Sequence, residues 1–387
     1  VDRDLSDIRS HPARQQPDWE NDPRLAKVRD ELAARPALVG MREVLRLRAA
    51  LARVASGDAH VVVAGDCAED PAECTSGDVA RKAGLLDVLA GTLRMVTHRP
   101  VIRVGRIAGQ FAKPRSGPTE RIGGRELPVF RGHLVNGPEP DARVPDPTRM
   151  LTGYDAAAAA MEHLRAGGPD GAGLDAPMWT SHEALLLDYE IPLVRRDGRG
   201  RHLLGSTHWP WIGERTRQPD GAHVALLATV VNPVACKVGP GCTEAELLDL
   251  CARLDPHREP GRLTLVARMG AGAVAQRLPR LVEAVRKAGH PVCWLTDPMH
   301  GNTVLTPDGL KTRFVETMVA EIQQFQESVR AVGGVAGGLH LETTPDAVTE
   351  CVLNGTFVDG VAKKYTSLCD PRLNPEQATA VTAAWRG

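Results

Sequence analysis

The chain has 387 residues, with 47 lysines and arginines against 48 aspartates and glutamates, a formal net charge of −1, and is 42% hydrophobic and 25% charged. That balance gives no electrostatic case for binding nucleic acid or an anionic membrane, so any anion must be held by a local cluster. No run approaches the roughly 18–20 apolar residues of a membrane span, and the opening Val1-Asp2-Arg3-Asp4 lacks the apolar core of a secretory signal, so a cytoplasmic location is expected.

Residues 18–56 read as helical. Leu32, Leu38, Val39, Val44, Leu45, Leu47 and Leu51 recur at helical spacings, with breaks at Pro36 and Gly40. Residues 1–58 are therefore taken as an N-terminal helical extension, packed outside the catalytic unit or at a subunit contact. From residue 60 short β-branched runs alternate with helical stretches, the pattern of repeated βα units. Strands are expected at 60–65, 100–105, 177–181, 208–213, 233–238, 263–269, 292–296 and 338–341, and amphipathic helices at 243–253, 274–288 and 311–331. Eight strands suit an α/β fold of the (β/α)8 TIM-barrel type, which uses about 250 residues and tolerates insertions. The barrel is placed at 59–387, with a long insertion at 117–176 after the second strand. The insertion has a Gly- and Pro-rich part, a helix around 154–164 and a short loop at 166–177.

Most candidate strands end in a polar or charged residue: Cys67, Arg106, Ser181-His182, Glu214-Arg215, Lys237, Arg268, Asp297 with His300, and Glu342. In a barrel these ends converge on one mouth; in an open sheet they would be strung along an edge. Arg106, Lys113, Arg115, Arg215, Lys237 and Arg268 would then form a cationic cluster for phosphate and carboxylate groups. Cys67, His300, Glu342 and Asp370 have no diagnostic spacing. A buried thiol, a satisfied histidine and two surface carboxylates is the plainer reading of spacing alone, but barrel closure makes the first, seventh and eighth strands neighbours. One thiolate, one imidazole and two carboxylates would suit Mn²⁺, Fe²⁺, Co²⁺ or Zn²⁺ better than Mg²⁺. Eight cysteines without a Cys-x-x-Cys pair argue for buried thiols rather than a disulfide scaffold or zinc ribbon. Phosphate-loop, nucleophile-elbow and dinucleotide signatures are absent from the sequence.

Several segments resemble class II 3-deoxy-heptulosonate-7-phosphate (DAHP) synthases. They are Ala64-Gly65-Asp66-Cys67-Ala68-Glu69, the run from Gly105 to Ser116, Trp211-Ile212-Gly213-Glu214-Arg215-Thr216-Arg217 and Lys237-Val238-Gly239-Pro240. Arg268-Met269-Gly270, Asp297-Pro298-Met299-His300-Gly301-Asn302-Thr303 and Cys369-Asp370-Pro371-Arg372-Leu373-Asn374 complete the set. The resemblance runs from about residue 17 to the C-terminus. It implies a (β/α)8 barrel that condenses phosphoenolpyruvate with erythrose 4-phosphate, with Lys237, Glu214 and His300 as catalytic residues. It implies one divalent metal ion, Mn²⁺ first among Co²⁺, Fe²⁺ and Zn²⁺, on Cys67, His300, Glu342 and Asp370. Phosphoenolpyruvate falls to Arg106, Glu214, Arg215, Lys237 and Arg268; the sugar phosphate to Lys113, Arg115 and Ser116, with Lys311 and Arg313 as further phosphate contacts by analogy. The N-terminal helical segment makes a homo-oligomer expected, and a chorismate mutase is the partner considered.

Three departures stand out. His133 replaces the family's usual aspartate after Tyr-Arg-Gly, which brings in an aminoDAHP synthase or another acceptor variant as an alternative. Ala271 follows Arg-Met-Gly where a polar residue is common. The short 166–177 loop leaves no room for the helices that longer members use for feedback, so weak or altered inhibition by Phe, Trp and Tyr is expected, as would suit secondary metabolism. A catalytically silent paralogue serving as a binding partner is the alternative from another class.

Overall fold

The computed structural model describes residues 5–122, 124–167 and 178–387. Eight parallel strands close into a barrel in chain order: β1 (His60–Gly65), β2 (Val101–Arg106), β3 (Trp179–Glu183), β4 (Trp209–Ile212), β5 (Val234–Val238), β6 (Leu263–Ala267), β7 (Cys293–Thr296) and β8 (Ala336–Glu342), with β8 pairing back onto β1. Each expected strand is present within a few residues; the start of the third, at Pro177, lies outside the described residues. Both faces of each strand are covered, which is why the strands read as nearly continuous hydrophobic runs. In β1, Val61 and Val63 pack with the barrel interior, whereas Val62 and Ala64 face the helical layer. Gly338 is required where β8 meets β1, because a Cβ there would lie 1.8 Å from the Val61 carbonyl oxygen.

The N-terminal extension folds as α1 (Leu25–Ala34) and α2 (Met41–Ala55). Gly40 caps α2, its N–H donating to Glu43 Oε2 at 2.6 Å. Leu47, Leu51 and Val54 of α2 are fully buried and join Val61, Val63, Trp209, Val266 and Leu295 of the barrel interior in one cluster. α2 therefore plugs the N-terminal end of the barrel instead of packing outside it.

α3 (Ser76–Thr97) follows β1, opened by a capping box of Thr75 and Asp78. The insertion contains a hairpin of Thr119–Ile122 with Arg125–Pro128, unexpected from sequence, and α4 (Arg149–Gly167). Residues 168–177 of its short loop lie outside the described residues, and with them the basis for the feedback expectation. α5 (Ala222–Thr229), α6 (Glu244–Leu254) and α7 (Val274–Lys287) cover the next strands. The helix expected from residue 311 begins later, as α8 (Val315–Ala331), because Lys311–Arg313 pairs with Thr303–Leu305 in a hairpin beside the mouth. α9 (Pro375–Ala383) closes the chain against α3.

Candidate active site

The carboxyl ends of the strands surround a cavity of about 270 Å³ lined by Arg106, Lys113, Arg115, Ser116, Glu183, Trp211, Glu214, Arg215, Lys237, Arg268, His300, Lys311, Arg313 and Asp370, among others. All six cations expected at the mouth are there, and so are Lys311 and Arg313.

The floor is built by the strands themselves. Arg106 ends β2, only 2% exposed. Its Nε donates to the Asp66 carbonyl at 2.9 Å and its Nη2 to the Cys67 carbonyl at 3.2 Å, while the guanidinium lies 5.1 Å from the Trp211 ring centre. Lys237, in β5, directs its ammonium to Asp297 and lies 5.7 Å from the same ring. Burial brings the Lys237 pKa down to about 8 despite the opposing pull of Asp297. Burial would raise the Asp297 carboxyl, but His300 and Lys237 outweigh it and hold it well below the carboxylate range.

The eighth strand ends in Glu342, wholly inaccessible. It accepts from Lys113 Nζ at 2.8 Å and from Arg313 Nη1 at 2.8 Å, with Arg106 Nη2 at 3.3 Å. Burial opposes its ionisation, yet His300, Lys113 and Arg313 keep it well below the ordinary glutamate range. Asp370, in the loop after β8, pairs with Lys113 at 3.0 Å and Lys311 at 2.8 Å.

His300, Glu342 and Asp370 each present a ligand atom, and these lie within 4.8 Å of one another. His300 Nδ1 is 2.7 Å from Asp297 Oδ2, so this ring nitrogen is engaged as donor and Nε2 turns toward Glu342 at 3.3 Å. A carboxylate behind the imidazole, with the other nitrogen aimed into a carboxylate pair, is the posture of a metal-ligating histidine. These donors fit a divalent ion. Cys67 sits beside the three rather than among them. Its sulfur accepts the Asp370 N–H at 3.2 Å and packs with Phe130 and Cys369. A hydrogen bond from the Cys369 thiol, and then Lys113 against the cost of burial, lower the Cys67 pKa below the ordinary thiol value.

Over residues 3–176 and 172–384 the sequence matches the model of the Class-II DAHP synthetase family. The chain belongs to this family. It is 58% identical over 378 residues to a probable phospho-2-dehydro-3-deoxyheptonate aldolase from Pseudomonas fluorescens, covering 97% of this chain and 94% of the relative. A phospho-2-dehydro-3-deoxyheptonate aldolase from Streptomyces coelicolor is 40% identical over 421 residues, covering 96% and 94%. The structure of a phospho-2-dehydro-3-deoxyheptonate aldolase from Francisella tularensis superposes with a TM-score of 0.54 at 12% identity, over 94% of this chain and 97% of that one, and is similar in fold.

Within this class-II DAHP synthetase, other expected residues have specific surroundings. Glu214 lines the cavity with both oxygens engaged, by Arg217 Nη2 at 2.9 Å and the Gly239 N–H at 2.7 Å. Arg215 Nη2 donates to Ser116 Oγ at 2.6 Å, joining the loops after β4 and β2 at the rim. Arg115 is tied to Glu120 at 3.1 Å. His182 turns away from the cavity to Glu190, at 2.8 Å. His133 is not among the lining residues; it packs edge-on against Phe130, ring centres 5.2 Å apart, with Nε2 3.8 Å from Asp70. The residue that prompted the acceptor-variant alternative thus stands outside the cavity lining.

Glu183 was missed in the sequence. It ends β3 half-buried, and its Oε1, itself enclosed, has no hydrogen-bond partner among the described residues. Burial raises its pKa against the field of Lys113, Lys237 and His300. The third strand was expected to stop at Ser181; two residues more, by the period-2 alternation of a strand, puts Glu183 on the same side as Ser181.

Proposed function

We propose that this chain condenses phosphoenolpyruvate with erythrose 4-phosphate to give DAHP and phosphate, with a divalent metal ion, Mn²⁺ first, held by His300, Glu342 and Asp370 and completed by Cys67. The observation that carries the reading is one cavity lined by eight cationic side chains and by His300 and Asp370, whose ligand atoms lie within 4.8 Å of that of the buried Glu342 behind them. When bound, the metal supplies Lewis-acid polarisation of the aldehyde oxygen.

Arg106, Lys237 and Arg268 hold the phosphate and carboxylate of phosphoenolpyruvate on the floor and fix its C3 toward the aldehyde carbon, orientation being a large share of the rate gain. Lys113, Arg115 and Ser116 take the sugar phosphate nearer the rim, and Arg215 braces Ser116. The C2=C3 electron pair of phosphoenolpyruvate forms the C3–C1 bond as the aldehyde C=O π bond opens to an alkoxide, which is then protonated. Water adds at C2, its released proton passing to the Glu183 carboxylate, and the C2–O bond to phosphate breaks as the C2 hydroxyl loses its proton to become the ketone. Glu214 keeps Arg217 and the Gly239 loop in position. Residues 5–58 belong to the same catalytic unit by way of the α2 plug.

Purified protein supplied with Mn²⁺ and both substrates should release phosphate and form one product with the mass of DAHP. Phosphate release without that product, or no turnover with any divalent ion, would sink the proposal. Glu183→Gln keeps size and loses proton uptake. It should lower kcat on the order of 10²-fold, with the KM for phosphoenolpyruvate within about threefold; an unchanged kcat would remove Glu183 from the chemistry.

A further inference from the structure

The loop that carries Lys113 from Arg106 has an unusual course. Ala108, a residue with a Cβ, adopts a φ of +65°, in the left-handed region. Gly109 follows where a Cβ would lie 2.2 Å from His182 Nδ1. Left alone, such a segment would relax.

What holds it is Glu69, in the loop after β1 and 1% exposed. Its carboxylate accepts three successive backbone N–H groups, from Ala108 at 3.1 Å, Gly109 at 2.9 Å and Gln110 at 2.8 Å. The exchange is reciprocal, because the Glu69 N–H donates to the Gln110 carbonyl at 2.7 Å. Lys82 balances the charge from behind, 3.9 Å from Glu69 Oε2 and 3.0 Å from Asp66 Oδ2. Three converging N–H dipoles form a nest of the kind that ordinarily binds a free anion; here the chain supplies the anion itself.

We propose that Glu69 is a positioning residue for the condensation: by gathering the N–H groups of residues 108–110 it fixes the loop that delivers Lys113 to the Glu342–Asp370 pair and Gln110 to the cavity wall. The proposal rests on the function proposed above. Its logic is distance: displacement of a positioned group by about 1 Å can cost on the order of 10²-fold in rate. Gln is nearly isosteric but presents one oxygen, and its NH₂ group opposes the N–H donors. Asp keeps the charge and shortens the reach.

The test compares wild type, Glu69→Gln and Glu69→Asp by amide hydrogen exchange, thermal unfolding and steady-state kinetics with each substrate varied in turn. Glu69→Gln should speed exchange selectively at residues 108–110. It should lower kcat/KM for the aldose phosphate at least tenfold and shift the KM for phosphoenolpyruvate less than threefold, since Lys237 and Arg268 belong to β5 and the end of β6 and Arg106 is anchored within β2 by the Asp66 and Cys67 carbonyls. Glu69→Asp should recover part of both losses. Wild-type exchange at 108–110 in Glu69→Gln would overturn the proposal, whatever the enzyme proves to catalyse. So would an activity loss that tracks the unfolded fraction, falls equally on both substrates and is shared by Glu69→Asp. Should Glu69→Gln fail to fold, Glu69→Asp alone decides, by exchange at 108–110 and the split between the two substrates.

Discussion

Replacing Lys237 by methionine should lower kcat/KM for phosphoenolpyruvate by about 10²–10³-fold, the usual cost of losing one preorganised donor at a reacting charge, while leaving the melting temperature unchanged or raised. The two halves have one cause. The folded protein depresses the Lys237 pKa from 10.5 to about 8, so burial makes its charged form a liability to folding. Between those two values the unfolded chain binds a proton that the folded chain has released. Stability from this group therefore rises as pH climbs from about 8 toward 10.5, and the cost is fully present below about 8. Methionine removes the buried ammonium and fills its stem, while Asp297 keeps His300 and the N–H groups of Met299 and His300. In the wild type, kcat/KM for phosphoenolpyruvate should decline above pH about 8 as the ammonium is lost, and Lys237→Arg should move that limb upward. A melting temperature lowered by more than about 10 °C in Lys237→Met would show that the pair supports the fold.

Glu342→Gln should behave in the opposite way. Its carboxylate is the shared counter-charge of Lys113, Arg313 and Arg106, all buried. Removing one partner of a buried charge set typically costs about 3–5 kcal/mol, and here Arg106 and Arg313 lose theirs at once while Lys113 keeps only Asp370. The folded-state pKa lies well below 4.5, so the stability is present above that value and is lost as pH falls through the depressed one. We expect a clearly lower melting temperature, an activity loss of about 10³-fold or more, and loss of bound metal by elemental analysis after dialysis. Full metal occupancy in a folded Glu342→Gln protein would take this carboxylate out of the donor set.

Much of the architecture was readable because parallel strands buried on both faces leave dense β-branched runs, and because the helices at 243–253 and 274–288 carry apolar residues at helical spacing. The mouth was readable because residues such as Arg106, Lys237 and Glu342 break those runs abruptly. The hairpins at 119–128 and 303–313 were not, since three- and four-residue strands rich in charge carry too little periodicity. Glu183 was lost to an early strand end. The destination of α2 was hidden for a different reason: its apolar stripe shows that it packs, but the hole it fills exists only after eight distant segments close. His133 shows the limit of motif comparison, for a conspicuous departure in sequence stands outside the cavity lining.

Among the described residues, the stopper formed by Leu47, Leu51 and Val54 fills the N-terminal end of the barrel, and the lined cavity lies at the other end. On the assignments proposed above, the floor residues Arg106 and Lys237 are buried, whereas Ser116 and Arg215 at the rim are exposed. Traffic is then a queue: phosphoenolpyruvate must be seated before the sugar phosphate, which lies across its path to the rim. The released phosphate cannot drain through the base and must leave by the way both reactants came in.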